Sequence, residues 1–452
     1  TGENFMKLLQ LTATLGAAQL LVAGDYRVNT TQDTPAQSLS CTTGSMIVPP
    51  CSLRAAVQLA NKQAALPWFG VRPTYRIVVP AGIYRLDLRG PNEDLAATGD
   101  LDVRGKIVIE GAGAAATIID GVSDDRIFDV FDEVTIRRVT IRNGRVGHVP
   151  ASNQYGGGIR NAGVLTIEDS VVGLNVVSSV QTVSGGGIWS RGKLVLIRSR
   201  VESNSSNQHH GGIYAVHAWA GVDALEMSDS VIRNNRACTQ SSGASCLGVR
   251  GGGLTLGGPA TIRNSTISGN LAYRGGGIHV QISSGSLSLT NVTLSGNRAE
   301  MGGAIYGSGT VRLLHVTVAR NLSGNAAFDL TNSSLSLKHS IVDQGSAGCK
   351  LAMSTVSSLG HNLDAGTTCL PVPGMGDQTN VSPQLQALAS NGGATQTHAI
   401  LTTSPAYDAI PAFICGTNGC PSTDQRGVVR NQGFGGFDIG AFEIGAFKLA
   451  EF

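Results

Sequence analysis

The feature that most constrains the fold is a pair of sequence signals that recurs between residues 156 and 321. The first is a glycine run followed by an aliphatic residue, with strong copies that begin at Gly156, Gly185, Gly251 and Gly275 and weaker copies that begin at His210 and Gly302. The second is an asparagine that follows each copy: Asn175, Asn204, Asn235, Asn270, Asn297 and Asn321. Internal repeats of this length are typical of solenoids, in which each repeat packs only on its neighbours.

Aliphatic residues stand at fixed distances before each asparagine. Positions ten and eight before it share one face of a strand because side chains alternate along a strand, and position three before it belongs to a second strand. The predicted core includes Leu165, Leu194, Leu225, Leu287, Val172, Val201, Ile232 and Ile267. We therefore predict an all-β chain that forms a single right-handed parallel β-helix. About ten or eleven coils after Tyr75 would give a rod about 50 Å long. The asparagines are predicted at turns, where they tolerate left-handed geometry and bond along the stack.

Both ends of such a rod need covers. Residues 51–61 predict an amphipathic helix with Ser52 as its N-cap, which we place as the N-terminal cap. The predicted organisation is an apolar segment at 1–24, an N-terminal cap at 25–74, a β-helix at 75–385 and an irregular C-terminal cap with a terminal strand at 386–452. The segment at 1–24 is interpreted as a signal peptide, a cap or an assembly arm. Nothing else approaches a transmembrane span.

The eight cysteines fall in couples that are close in sequence: Cys41 with Cys51, Cys238 with Cys246, Cys349 with Cys369, and Cys415 with Cys420. No couple has the spacing of a zinc or redox motif. Four local disulfides are predicted, with free buried thiols as the alternative. Disulfides indicate an oxidising compartment, so we expect an exported protein, extracellular or at a bacterial cell surface. The net charge of +2 argues against nucleic acid as a partner.

Several short motifs resemble those of one group of proteins. Residues 51–54 read CSLR and are followed by Ala55, where the CSLREA motif of bacterial exported β-helix proteins has glutamate. The C-terminal stretches 391–393, 397–398, 404–406, 423–427 and 438–443 are similar to a choice-of-anchor Q region. Together the motifs span residues 25 to 443. The resemblance implies an exported or cell-surface β-helix and implies no known activity.

One residue after the aliphatic position of each glycine signal, side chains are predicted to point outward and to align. The series is Arg160, Trp189, Tyr214, Thr255, His279 and Tyr306. Aromatic and hydrogen-bonding groups in a row suit a sugar chain, and a merely structural cover of the coil edges is the alternative. A histidine group, His209, His210 and His217 with Trp219, is a second candidate binding site, since His210 replaces a repeat glycine. Surface histidines in a looser coil are the alternative.

Carboxylates do not form a convincing catalytic set. Asp169 and Asp229 share one repeat position but lie two coils apart, with Arg198 between them. Asp100, Asp102 and Asp120, with Asp124 and Asp125, suggest calcium as the one cofactor left open; otherwise none is expected, and no metal site is predicted. Arg426 is expected to pair with Asp424, Asp438 or Glu443 and to close the last coil.

Two functions follow from these patterns. The first is an extracellular structural or adhesive rod that assembles head to tail into filaments through its termini, including the alternating apolar tail at 437–452. The alternative for both termini is that they fold back and cap their own rod. The second is a carbohydrate-active enzyme, a polysaccharide lyase or glycoside hydrolase, or a glycan-binding module that uses the outward aromatic row. Catalysis is left open in this prediction and no catalytic residue is assigned.

Overall fold

A computed structural model describes residues 22–37, 41, 50–66, 72–90, 93–122, 125–147, 155–178, 185–216, 222–238, 246–324, 326–415, 420–430 and 435–445, with backbone alone at 22–23, 282–285 and 347. The chain is an all-β solenoid, a right-handed parallel β-helix, as predicted. Three faces of parallel strands repeat along it, and a short fourth strand closes many of the coils.

The strands stack face by face. The first face has Leu101–Val103, Phe128–Val130, Ile159–Asn161, Ile188–Ser190, Ile213–Ala215, Leu254–Leu256 and Cys349–Ala352. The second face has Val22–Arg27, Thr74–Val79, Ile107–Gly111, Glu133–Arg137, Val164–Glu168, Lys193–Ile197, Leu225–Ser228 and Thr355–Ser358. The third face has Gly82–Leu86, Thr117–Gly121, Thr140–Arg142, Val171–Gly173, Arg200–Glu202, Val231–Arg233, Ile341–Asp343, Leu363–Asp364 and Gln378–Thr379. Longer strands run across two or three faces: Ala260–Ser268, Ile278–Ser295, Ile305–Ala319 and Phe328–Lys338.

Short strands form the fourth corner, where five of them follow a ladder asparagine and the first follows Gly144; after Asn270, Leu271 forms isolated bridges instead. They are Arg145–Val146, Val176–Val177, Ser205–Ser206, Arg236–Ala237, Arg298–Ala299 and Leu322–Ser323. The remaining elements are a short helix at Ala412–Cys415, a 3₁₀ turn at Gly345–Ala347, and an antiparallel pair of Leu388–Ala389 with Thr397–His398.

The predicted core is confirmed. All eight of its aliphatic residues are at most 1% exposed. Ile167, Leu196 and Met227 pair in successive coils, which reproduces the register derived from the asparagines. Because every coil places the same aliphatic positions inward, the core is one continuous cluster along the rod.

The asparagines form a buried amide ladder, as predicted, but they are not the left-handed residues. The side-chain nitrogen of Asn175 donates to Oδ1 of Asn204 at 2.9 Å, and the pattern continues to Asn321. The left-handed φ belongs to the preceding residue, for example Leu174 at 60° and Gly269 at 65°. That turn aims each amide along the stack, where it also bonds backbone groups of the preceding coil, as Asn204 does with the N–H of Asn175 and the carbonyl oxygen of Val172.

Helix α1, Leu53–Ala64, caps the N-terminal end of the rod as predicted. The Ser52 hydroxyl accepts from the Ala55 backbone N–H at 2.9 Å, an N-cap. Arg54 is fully buried, pairs with Asp33, and donates to the carbonyl oxygens of Ala96, Gly99 and Asp100. The arginine of the CSLR motif therefore fastens the helix to the first coils.

The C-terminal cap folds back on its own rod. Phe437 and Ile439 are buried, and the Ala441 N–H donates to the Thr317 hydroxyl at 3.0 Å. The tail up to residue 445 therefore has its partners within this chain, as in the alternative in which it caps its own rod; residues 446–452 lie outside the described part. Arg426 pairs with Asp424 at 2.7 Å, whereas Glu443 pairs with Arg430.

Three buried histidines stack beneath this cap at the left-handed turn between the second and third faces. They are His315, His339 and His361. Nδ1 of His339 lies 3.1 Å from Nε2 of His315. Burial, with nearby positive charge, lowers the pKa of His339 to about 3 and the pKa of His315 well below its ordinary value. Cys415 and Cys420 lie close to the first two rings, but their sulfurs are bonded to each other.

All four predicted disulfides are confirmed: Cys41–Cys51, Cys238–Cys246, Cys349–Cys369 and Cys415–Cys420. Each joins residues no more than 20 positions apart, so each closes a local loop. Neither described α-helix has the length and hydrophobicity that a membrane crossing requires.

Candidate functional site

The predicted outward row is a register-matched ladder on the first face. Parallel pairing links, coil by coil, Asp102, Asp129, Arg160, Trp189, Tyr214, Thr255, His279, Tyr306, Asp329 and Lys350. We call this set the first-face ladder. Its members alternate with core residues, so that His279 stands between Ile278 and Val280, which are both fully buried. Acidic residues begin the ladder, while aromatic and imidazole groups occupy its middle.

Exposure along the ladder is uneven, although the ladder was predicted as one outward surface. The side chains of Trp189, Tyr214 and Tyr306 are half-buried, whereas Thr255 is 0% and His279 is 2% exposed. Thr255 is covered because Nδ1 of His210 lies 2.7 Å from its hydroxyl. His279 stacks on Tyr306, with ring centroids 5.5 Å apart.

His210 occupies a backbone position that glycine holds in the other copies of the signal. Its φ is 62°, matching Gly185 at 76° and Gly251 at 67°. A residue other than glycine at such a φ costs roughly 1–2 kcal/mol. The ring of His210 stacks on Tyr214 with centroids 4.5 Å apart, and burial lowers its pKa well below the ordinary value. A strained, neutral histidine thus orders the centre of the ladder.

His209 lies beside His210 with its tautomer fixed by the backbone. Its Nδ1 accepts from the N–H of Arg250 at 3.2 Å, which leaves the proton of the neutral ring on Nε2. Burial, and then the charge of Arg250, lower the pKa of His209. The remaining members of the predicted histidine group, His217 and Trp219, lie outside the described residues.

Arg250 and Arg274 stand immediately before the glycine signals of neighbouring coils and were missed in the sequence. A parallel bridge joins their backbones. The guanidinium of Arg274 lies 5.5 Å from the ring centre of Tyr306 and 5.9 Å from that of Tyr273. The Nε atoms of both arginines are buried without a hydrogen-bond partner, and neither arginine forms an ion pair with a carboxylate of the described residues. Both arginines lie one residue before a glycine signal, and inspection of that position in every copy of the repeat would have found them.

Tyr155 also precedes a glycine signal and widens the aromatic surface. Its ring stacks on Trp189 with centroids 5.0 Å apart and an interplanar angle of 25°. Arg160, in contrast, is engaged by the buried carboxylate of Asp129 at 2.6 Å. Together the described residues place an aromatic platform at Trp189 and a second one at Tyr306, with basic groups near the second.

The acidic end of the ladder could hold a cation. One carboxylate oxygen from each of Asp94, Asp102 and Asp129 lies within 4.8 Å of the others. Burial raises the pKa of Asp102 to about 7, and its Oδ1 has no hydrogen-bond partner. Arg126 partly neutralises the group through Asp129 at 3.2 Å.

The other aspartates suggested for calcium do not gather there as a set. Asp100 joins the group through Arg126, at 3.1 Å, but Asp120 pairs with Arg142. Asp124 is outside the described part of the chain.

A groove of about 360 Å³ opens on the second face between Val195 and Arg263. Asp223 and Glu226 line it, with the Asp223 carboxylate accepting from the Thr261 hydroxyl at 2.9 Å and Glu226 bound by Lys193 at 2.6 Å. Elsewhere, Asp169 is held by Arg198, whose hydrogen bond lowers the pKa of that carboxyl. Each of these carboxylates already has a partner within the chain.

Comparison with protein-family models and with curated proteins finds no match. Among solved structures, the crystal structure of pectate lyase Pel9A is similar to this chain, with a TM-score of 0.50 and 13% sequence identity. The similarity covers 94% of this chain and 97% of the lyase. At this identity it establishes the parallel β-helix fold alone.

Proposed function

We propose that this protein is an exported polysaccharide-binding β-helix and that a sugar chain lies along the first-face ladder. The observation that carries the proposal is the alignment of Trp189, Tyr214 and Tyr306 at matching positions of one face. Trp189 and Tyr306 are four coils apart, about 19 Å at the strand spacing of about 4.8 Å. A row of that length fits an extended polymer better than a small ligand.

The chemistry of the row supports a carbohydrate ligand. Aromatic rings offer flat apolar surfaces for the faces of sugar rings, and their polar edges, with nearby donors, serve the hydroxyl groups. The platform of Tyr155 and Trp189 is already stacked, so little side-chain freedom is lost on binding. The four disulfides favour an exported protein, in line with the resemblance to CSLREA-type proteins.

The name of the structural neighbour adds weight to this choice. That protein is a pectate lyase, which acts on a polysaccharide. A lyase or hydrolase activity in the present chain is a narrower hypothesis, because the carboxylates of the second-face groove are paired with Lys193 and Thr261. A structural or adhesive role with head-to-tail assembly stays a prediction, and the self-packed tail at 435–445 gives it no support.

Immobilised polysaccharides, both neutral and acidic, test the proposal. We expect the purified protein to bind at least one of them, and we expect Trp189→Ala and Tyr306→Ala each to weaken that binding by tenfold or more. Tyr407→Ala is the matched control, because this tyrosine is exposed on the C-terminal cap, away from the ladder. If no polysaccharide binds, or if the ladder variants bind like the control, the proposal fails. A reducing-sugar assay on the bound polysaccharide then separates an enzyme from a binding protein.

A further inference from the structure

We propose that the polysaccharide is acidic and that its anionic group is bound by a basic pocket of Arg250, Arg274, His209 and His279. This inference rests on the proposed function and names the substrate class of the same site. The pocket lies at the corner that precedes the first face, next to Tyr306 and Tyr214. A sugar stacked on Tyr306 would place its substituents near the Arg274 guanidinium.

Several polar atoms of the pocket are buried without a hydrogen-bond partner. A guanidinium carries five N–H donors and no acceptor. The Nε atoms of Arg250 and Arg274 are buried without partners, and so is Nδ1 of His279, a side chain that is 2% exposed. Buried polar groups without partners are costly, so they are uncommon in folded proteins and call for an explanation. A bound anion would supply acceptors to this cluster of donors.

The two arginines of the pocket also differ from the buried arginines of this chain in having no carboxylate partner among the described residues. The buried arginines of this chain have carboxylate partners: Arg54 pairs with Asp33, Arg126 with Asp100 and Arg430 with Glu443. Arg250 and Arg274 are half-buried, with only their Nε atoms fully out of solvent. Arg250 and Arg274 lie in adjacent coils and have no such partner among the described residues. Positive charge is therefore concentrated where the described residues supply no counter-charge.

The histidines of the pocket add hydrogen-bonding groups but no charge near pH 7. Burial, and then the nearby charges of Arg250, His209 and Arg274, lower the pKa of His279 to about 3. The imidazole is therefore neutral near pH 7, and the two guanidinium groups carry the charge of the pocket. The Nε2–H of His209 adds a neutral donor. This donor-rich, positively charged set fits a carboxylate or a sulfate ester.

The test compares three probes: a polyuronate, a sulfated glucan and the corresponding neutral glucan. We expect the protein to bind one or both acidic polymers at least tenfold more tightly than the neutral one, with affinity falling as salt is added. Arg274→Gln and Arg250→Gln should each weaken binding of the acidic polymer about tenfold more than they weaken binding of the neutral polymer. Arg312→Gln, an exposed arginine that points outward from the second face, is the control for general charge.

The outcomes separate this inference from the function on which it rests. Binding of the polyuronate alone identifies a carboxylate ligand, and binding of the sulfated polymer alone identifies a sulfate; either result supports the inference. If the neutral polymer binds as tightly as both acidic ones and depends on Trp189, the acidic pocket is wrong while the glycan site stands. Equal loss in Arg274→Gln and Arg312→Gln would also overturn it. Circular dichroism melting of each variant confirms that the fold is intact.

Discussion

Asn204 and Asn235 lie one coil apart, and the side-chain amide of Asn204 donates to Oδ1 of Asn235 at 3.0 Å. The same oxygen accepts from the backbone N–H of Asn204, also at 3.0 Å. The amide nitrogen of Asn235 donates to the carbonyl oxygen of Val201 and to Oδ1 of Asn270. One side chain thus satisfies groups in the coils on both sides of it.

Replacing Asn235 by alanine should therefore cost more than the loss of one hydrogen bond. Asn235→Ala leaves several buried donors and acceptors unpaired, each worth roughly 1–3 kcal/mol. We expect the free energy of unfolding to fall by about 2–4 kcal/mol, measured by chemical denaturation. Asn234→Gly is the control, because Asn234 is exposed and already has a left-handed φ of 55°. Equal effects of the two substitutions would contradict the ladder's role.

The core ladder gives a second prediction at Leu194, which is fully buried between Leu165 and Leu225. Leu194→Ala should lower the free energy of unfolding by about 2–5 kcal/mol, the range for buried leucine truncation. Val195, the next residue, faces outward and is half-buried, so Val195→Ala should cost less than about 1 kcal/mol. Similar losses in the two variants would mean that the assigned register does not determine stability.

These two ladders were predictable because the repeat fixes them. Each coil must present the same aliphatic positions inward, and a buried side-chain amide at a repeated position meets its own copy in the neighbouring coil. The left-handed residue of this turn immediately precedes the ladder asparagine and was assigned one residue too late from the sequence. Its identity varies from coil to coil: Leu174, Ser203, Asn234 and Gly269 all hold the position. A position that selects backbone geometry rather than side-chain chemistry leaves a weak trace in one sequence.

The candidate site was predictable in part for a related reason. The first-face ladder follows from the alternation of side chains along each strand. The burial of His279 and the roles of Arg250 and Arg274 depend on side chains that reach over from the preceding corner, and strand periodicity says nothing of such contacts. His210 was visible because it breaks a glycine pattern, although its stacking on Tyr214 was not.

The left-handed position before each ladder asparagine yields a third prediction. Leu174 has a φ of 60° and is 55% exposed, so its backbone strain is not offset by burial. Leu174→Gly should raise the free energy of unfolding by up to about 1 kcal/mol, because the strain of roughly 1–2 kcal/mol exceeds the entropy that glycine adds to the unfolded chain.

The reciprocal change isolates the same effect. Gly296 has a φ of 63° at the equivalent turn, and a Cβ there would meet no atom within 4 Å. Gly296→Leu should therefore lower stability by about 1 kcal/mol through strain alone. Thermal and chemical unfolding of both variants check the pair; a stabilising Gly296→Leu would show that packing, not φ, governs this turn.

The buried histidines beneath the C-terminal cap give a fourth prediction, on pH. The pKa of His339 is about 3 in the folded chain, whereas an unfolded histidine has the ordinary value of 6.5. Between these values the unfolded state binds more protons, so stability falls as the pH is lowered from 6.5 towards 3. Each such histidine contributes a slope of about 1.4 kcal/mol per pH unit. The raised pKa of Asp102, about 7, acts in the opposite direction, since its folded state takes up a proton first.

A conservative variant separates the two contributions. His339→Asn is compatible with the left-handed turn between the second and third faces, because Asn264 and Asn291 hold the equivalent position in earlier coils. The substitution leaves Asp102 unchanged. We expect the wild-type protein to lose about 2 kcal/mol more than His339→Asn when the pH falls from 7 to 5. The measurement is chemical denaturation of both proteins across that range, followed by the intrinsic fluorescence of the chain. Parallel pH profiles would mean that His339 takes up a proton in the folded state near its ordinary pKa, and that the cap does not hold it neutral.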